Sequence, residues 1–241
     1  MRSAFSLFEI LIVVVILGIL ASFAFLRNDN TLNQAAKSLL EHIAYTRHLA
    51  LNDDLVFTKL NQTKGLVNRF RSIDPNGLIL LNPMWQIQFH FTGKYTMFSY
   101  SIYVDTPRFA PTTHYDGRPM DGDIIAIEGN DRKCLSGYNN KNISDMCKNN
   151  SSVFVRLHEA YGLEKFYVQA DEFCQELRGA RIYFDRFGRP YCGKREALSR
   201  PFKIILEKNK KKRIICVLPV SGYSFLLKSG DDCEKKNSYS L

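Results

Sequence analysis

No cysteine occurs in the first 133 residues of the chain and no proline occurs before Pro75. The second absence leaves the amino-terminal quarter without the residue that most reliably breaks a helix. The first confines any cross-link to the second half. There the six cysteines, Cys134, Cys147, Cys174, Cys192, Cys216 and Cys233, never stand in C-x-x-C spacing, which argues against zinc-ribbon and dithiol redox sites. Disulfides in an oxidising compartment and unrelated buried thiols remain, with fifteen pairings open to six cysteines.

A net positive charge is also missing from most of the molecule. The formal net charge is +9, yet residues 186–213 hold eleven Lys/Arg against Glu196 and Glu207, so the remainder is neutral. A protein that coats nucleic acid spreads its charge further. Catalytic signatures are lacking as well. The five histidines, His42, His48, His90, His114 and His158, are scattered and form no H-E-x-x-H, and there is no serine elbow or phosphate-binding glycine loop. Asp116-Gly117 and Asp121-Gly122-Asp123 read as acidic turns before they read as calcium ligands. The expectation is a non-enzyme with no cofactor and no metal.

What the chain does have is an apolar run from Phe5 to Leu26, 22 residues carrying one charge. As a helix it would extend roughly 33 Å, the thickness of a bilayer core. A cleaved secretory signal is the rival, but it needs a shorter apolar region and a small-residue cleavage site, and Arg27-Asn28-Asp29-Asn30 supplies none. Glu9 stands inside the run. A carboxylate in an apolar span costs about 2.5–3.5 kcal/mol on insertion scales, so it calls for hydration at the interface or for a cationic partner.

The segment Ala4-Phe5-Ser6-Leu7-Phe8-Glu9, behind a short basic leader and ahead of the apolar residues, resembles the type IV prepilin signature. The resemblance implies that a prepilin peptidase cuts between Ala4 and Phe5 on the cytoplasmic side and methylates the new amino terminus at Phe5. It also implies that Glu9 neutralises the terminal ammonium of a neighbouring pilin during filament assembly. Two departures stand out: Ala4 occupies a place where the family most often has Gly, and Leu26 replaces a proline common in major pilins.

Leu32, Ala36, Leu39, Leu40, Ile43, Ala44 and Ala50 recur at three- and four-residue steps among polar residues, which predicts an amphipathic continuation of the helix to about Asn52-Asp53-Asp54. Beyond it the pattern turns to short strands. Trp85, Ile87, Phe89 and Phe91 alternate with polar residues as in a half-buried strand, and Tyr95–Val104 follows. Further strands are predicted at Ile124–Ile127, Val153–Leu157, Phe166–Val168, Ile182–Phe184, Phe202–Leu206, Ile214–Leu218 and Tyr223–Leu227, with Glu207–Arg213 as a charged hairpin loop. Residues 129–150 read as a polar insertion closed by Cys134 and Cys147.

The expected fold is therefore α+β, a long amino-terminal helix packed on an antiparallel β domain. Its parts are a leader at 1–4, a transmembrane half-helix at 5–26, an amphipathic half at 27–54 and a β-rich domain at 55–241. The helix Asn33–Asn52, the stretch from Arg181 to Pro190 and the turn Val220-Ser221-Gly222-Tyr223 resemble the corresponding parts of GspH/FimT-type minor pseudopilins. That resemblance implies a subunit of a type II secretion or type IV pilus-like machine, held in the inner-membrane lipid with its amino terminus cytoplasmic and its β domain periplasmic. Its partners would be prepilin peptidase and other pilins.

Two alternatives stay open. Arg186, Arg189, Lys208, Lys210, Lys211, Lys212 and Arg213 could hold DNA phosphates in a competence-type minor pilin, against the plainer reading of a solvated hairpin. The chain could also be an unprocessed single-span protein with a periplasmic β domain. A periplasmic location predicts that the cysteines are oxidised, with neighbour pairing expected: Cys134 with Cys147, Cys174 with Cys192, and Cys216 with Cys233. Each such loop would restrain the unfolded chain by about 3 kcal/mol.

Overall fold

In a computed structural model of the protein, the described residues are 7–52, 84–92, 98–105, 117–120, 123–138, 143–228 and 231–234. Along them run α1 (Leu7–Asn52), β1 (Trp85–His90), β2 (Ser99–Val104), β3 (Ile124–Ile125), α2 (Asp145–Lys148), α3 (Leu157–Tyr161), β4 (Lys165–Gln169) and β5 (Gln175–Glu176). They continue through β6 (Gly179–Phe184), β7 (Pro190–Cys192), β8 (Glu196–Ala197), β9 (Phe202–Lys208), β10 (Lys211–Val217) and β11 (Ser224–Leu226). Helices and antiparallel sheets in one chain make the fold α+β, mostly β by element count.

Helix α1 is continuous over 46 residues, as a stretch without proline permits. Its two ends have different surroundings. Over Leu7–Ala21 the side chains are exposed, Leu7 at 84% and Val14 at 62%. Over its second half Leu32, Ala35, Leu39, Ile43, Thr46 and Ala50 are buried at steps of three and four, one stripe laid on the sheets. Ala44, expected in that stripe, is exposed, because one residue beyond Ile43 the helix has turned by about 100°. Among the described residues, no helix is long and apolar enough to cross a membrane.

One sheet has the order β3-β2-β1-β6-β7-β8, with β5 also paired to β6; the other has the order β11-β10-β9-β4. In the first, Ile87 of β1 lies between Ile102 of β2 and Ile182 of β6. Leu39 and Ile43 of α1, Ile87 and Phe89 of β1, and Phe202 and Ile204 of β9 belong to one buried cluster, so the helix and both sheets share a core. Full burial of each such side chain is worth roughly 1.5–3 kcal/mol. Phe166 of β4 meets the Phe89 ring edge-on at 5.8 Å and the Phe91 ring at 5.3 Å, which joins the sheets.

Three expectations need correction. β1 is buried on both faces, not one. Its polar side chains have partners from remote segments: Tyr103 donates to Gln88 Oε1 at 2.9 Å, Gln88 Nε2 donates to the Gly117 carbonyl at 3.2 Å, and His90 Nε2 lies 3.2 Å from Ser101 Oγ. Buried polar groups satisfied in this way do not need solvent. Val153–Leu157 is not a strand; a single 3-10 turn, Val153–Val155, leads into α3, which Gly162 closes in the left-handed conformation at φ +66°. Finally, Glu207–Arg213 is not a loop. β9 and β10 pair as far as Lys208 opposite Lys211, and the connection is a two-residue turn at Asn209 and Lys210, both with positive φ, the form whose twist matches paired strands.

Candidate functional site

The helix start carries the predicted processing and assembly residues. Ala4 and Phe5 lie outside the described residues. Glu9 stands in the first turn of α1, exposed, where a carboxylate also favours the positive end of the helix dipole.

At the other end of α1, Arg47 holds two turns at once. Its single Nε–H is shared between the Ser221 carbonyl at 2.9 Å and the Gly188 carbonyl at 3.2 Å. The Gly188 turn is itself fixed by Asp185, whose Oδ1 accepts from the Phe187 and Arg189 amides at 2.9 Å each and whose Oδ2 accepts from Arg189 Nε at 2.8 Å. Gly222, at φ +66°, packs so closely on the Gly188 carbonyl that a Cβ there would collide with it. These are the two turns on which the carboxyl-terminal resemblance rests. In the sequence Arg47 reads only as a polar position of the amphipathic helix, because nothing in a helical arginine points to carbonyls more than 140 residues away.

The basic segment does not form one patch. Arg186 and Arg189 lie over the exposed Phe187 ring at 4.8 and 5.2 Å, at the Arg47 end of the helix. Lys208 Nζ donates to Thr31 Oγ1 at 2.9 Å and to the Tyr161 carbonyl at 2.7 Å, and Arg213 Nε donates to Asn33 Oδ1 at 2.6 Å. Sixteen helical residues, about 24 Å, separate Thr31 from Arg47. Carboxylates occupy several other cations: Lys212 pairs with Glu207 at 2.8 Å, Arg200 with Asp171 at 3.0 Å and Lys203 with Asp232 at 3.1 Å. The hydrogen bonds from Lys212 and then from Tyr167 hold the Glu207 carboxyl below its usual range, and Glu207 in turn raises Lys212. The side chains of Lys210, in the turn, and Lys211, the first residue of β10, are exposed.

The three disulfides are Cys134–Cys147, Cys174–Cys192 and Cys216–Cys233, each between sequence neighbours. All six cysteines are buried. Cys134 and Cys147 pack with Tyr103 and Ile125, so the polar insertion brings a small core of its own.

The described histidines serve the fold. His42 Nδ1 lies 2.6 Å from the Tyr100 hydroxyl, His158 Nδ1 lies 2.8 Å from the Leu163 carbonyl, and His48 sits beside Asn52 at 3.0 Å. Burial, helped by the charge of Arg181, lowers His90 to about 3, so it is neutral at physiological pH. Burial works against the Arg181 guanidinium, but Tyr103 and its ion pair with Glu176 outweigh that and keep it charged. His114, Asp116, Asp121 and Gly122 lie outside the described residues; Asp123 Oδ2 accepts from the Met120 amide at 2.9 Å as in an ordinary turn. Among the described residues no group of three or more His, Cys, Asp or Glu is placed to hold a metal ion.

Comparison with protein-family models, with curated proteins and with solved structures finds no match to this chain.

Proposed function

We propose that the protein is a membrane-anchored minor pilin-like subunit of a type II secretion or type IV pilus-like filament, cut before Phe5 by a prepilin peptidase and assembled through Glu9. The observation that carries this reading is the division of α1. One unbroken helix has an apolar first part with exposed side chains and a second part whose apolar stripe is spent on the β domain. Exposed leucine, isoleucine and valine along fifteen residues are costly in water and need either lipid or a partner helix. The described apolar side chains, Leu7–Ala21, cover only about 22 Å, and the proposed span runs from Phe5 through Leu26. Three buried disulfides fit a β domain on the oxidising, periplasmic side.

In this reading the protein does no chemistry of its own. The helix stores the subunit in the inner membrane, the Glu9 carboxylate meets the terminal ammonium of a neighbour, and the β domain supplies the exposed filament surface. Mass spectrometry of the mature protein tests it: a chain beginning at methylated Phe5 is expected, and a chain beginning at Met1 in a cell with active peptidase refutes it.

A further inference from the structure

We propose that the tip of the β9–β10 hairpin is a lipid-headgroup contact, seating the β domain on anionic phospholipid at the membrane face from which α1 emerges. The inference rests on the reading of the apolar part of α1 as the membrane anchor. Its geometry comes from three pins. Lys208 is bound to Thr31 and Arg213 to Asn33 at one end of the hairpin, while Ser221, just beyond β10, is bound to Arg47 at the other. β10 therefore runs alongside α1 with its tip directed toward the apolar run. Thr31 is five residues past Leu26, so the tip lies about 8 Å along the helix axis from the end of that run, within reach of lysine side chains that extend toward an interface.

The charge at the tip fits phosphate. Lys165, Lys208, Lys210, Lys211, Lys212 and Arg213 gather there against Glu164 and Glu207. Lys208 and Arg213 bind α1 and orient the hairpin; Lys210 in the turn and Lys211 at the start of β10 are exposed. The positive-φ turn at Asn209-Lys210 keeps the hairpin narrow and projects these side chains past the ends of the strands. β11 pairs with β10 only over Ile215–Val217, so the tip residues of β10 lie beyond its cover, where Arg213 is bound to Asn33 of α1. Duplex DNA would have to approach the same lysines along the bilayer surface, whereas headgroup phosphates already stand at that depth.

Lysine acylation of the full chain in nanodiscs, read by mass spectrometry, provides the test. The chain should enter phosphatidylcholine nanodiscs through α1 alone. In phosphatidylcholine–phosphatidylglycerol nanodiscs Lys210 and Lys211 should then be acylated several-fold more slowly, and Lys194, which is exposed elsewhere, should be unchanged. Added salt should restore the rate by screening. Each lysine near an anionic surface contributes roughly fivefold to local binding, so Lys210→Gln with Lys211→Gln should abolish the salt-sensitive protection of Lys212. Failure to enter neutral nanodiscs overturns the anchor reading and this inference with it. Entry without any difference between the two lipids overturns the inference alone. So does protection of Lys210 and Lys211 by duplex DNA but not by anionic lipid, which would assign the tip to nucleic acid.

Discussion

Arg47 and Ser221, 174 residues apart in sequence, are joined by a 2.9 Å hydrogen bond from the arginine Nε to the serine carbonyl. The same N–H reaches Gly188, so one helical side chain locks the two turns that close the β domain against α1. Removing the donor leaves the partly buried Gly188 carbonyl to find water or remain unpaired and frees the exposed Ser221 turn. Arg47→Ala should lower stability by about 2 kcal/mol, with Arg47→Lys recovering only part, since an ammonium cannot reproduce the planar guanidinium geometry. Gly222→Ala should cost more than about 1 kcal/mol, from the positive φ and the collision with the Gly188 carbonyl. Urea midpoints check all three, and an unchanged midpoint for Arg47→Ala would show the contact to be idle.

His90 gives stability a dependence on pH. Buried and neutral, it takes a proton only near pH 3, whereas in the unfolded chain it takes one near the ordinary imidazole value of 6.5. The unfolded state thus binds more protons between those values, so stability is full above about pH 6.5 and falls as pH falls below it. Between pH 7.5 and 5 the loss should be on the order of 2 kcal/mol. That window lies above the range in which the depressed carboxyls of Asp171 and Glu207 contribute. Thermal unfolding of His90→Gln should show a flatter profile over this window than the parent; parallel profiles would contradict the assignment.

Intact protein should take up no alkylating reagent until it is reduced. Each disulfide closes a loop of 13 to 18 residues, so replacing Cys174 and Cys192 together by serine should cost about 3 kcal/mol in the chain-entropy account. Mass spectrometry of the alkylated protein and denaturant titration of the double variant measure the two effects.

On the proposed pilin-like reading, Glu9→Ala should leave membrane insertion and cleavage before Phe5 intact but prevent entry into the filament, because the terminal ammonium of the neighbouring subunit would lose its counter-charge. Cross-linking to other pilins reads the outcome. Incorporation at the parental level would reduce Glu9 to a hydrated carboxylate at the interface.

The parts of the fold that announce themselves locally could be read from the sequence. The burial stripe from Leu32 to Ala50 follows helical spacing, and Phe202–Leu206 with Ile214–Leu218 are apolar runs that could only be paired strands. What stayed hidden depends on remote partners. Gln86, Gln88 and His90 look solvent-facing because their covers come from Tyr103, Gly117, Arg181 and Ser101. Four apolar residues, Val153, Phe154, Val155 and Leu157, cannot by themselves distinguish a strand from a turn leading into a short helix. In the basic segment, clustering in sequence concealed a division in space, with Arg186 and Arg189 at one end of the helix and Lys208–Arg213 at the other.

Consecutive pairing of the cysteines also sets an order of events. On the proposed periplasmic topology, a chain delivered amino terminus first exposes Cys134 and then Cys147 before Cys174 has appeared, and the same holds for each later pair. Every thiol can therefore meet its final partner among those that have just arrived, and each loop can seal while the residues behind it are still in transit. Oxidation in order of arrival gives the native set without reshuffling, so cells lacking a disulfide isomerase should accumulate the same three bonds as cells that have one.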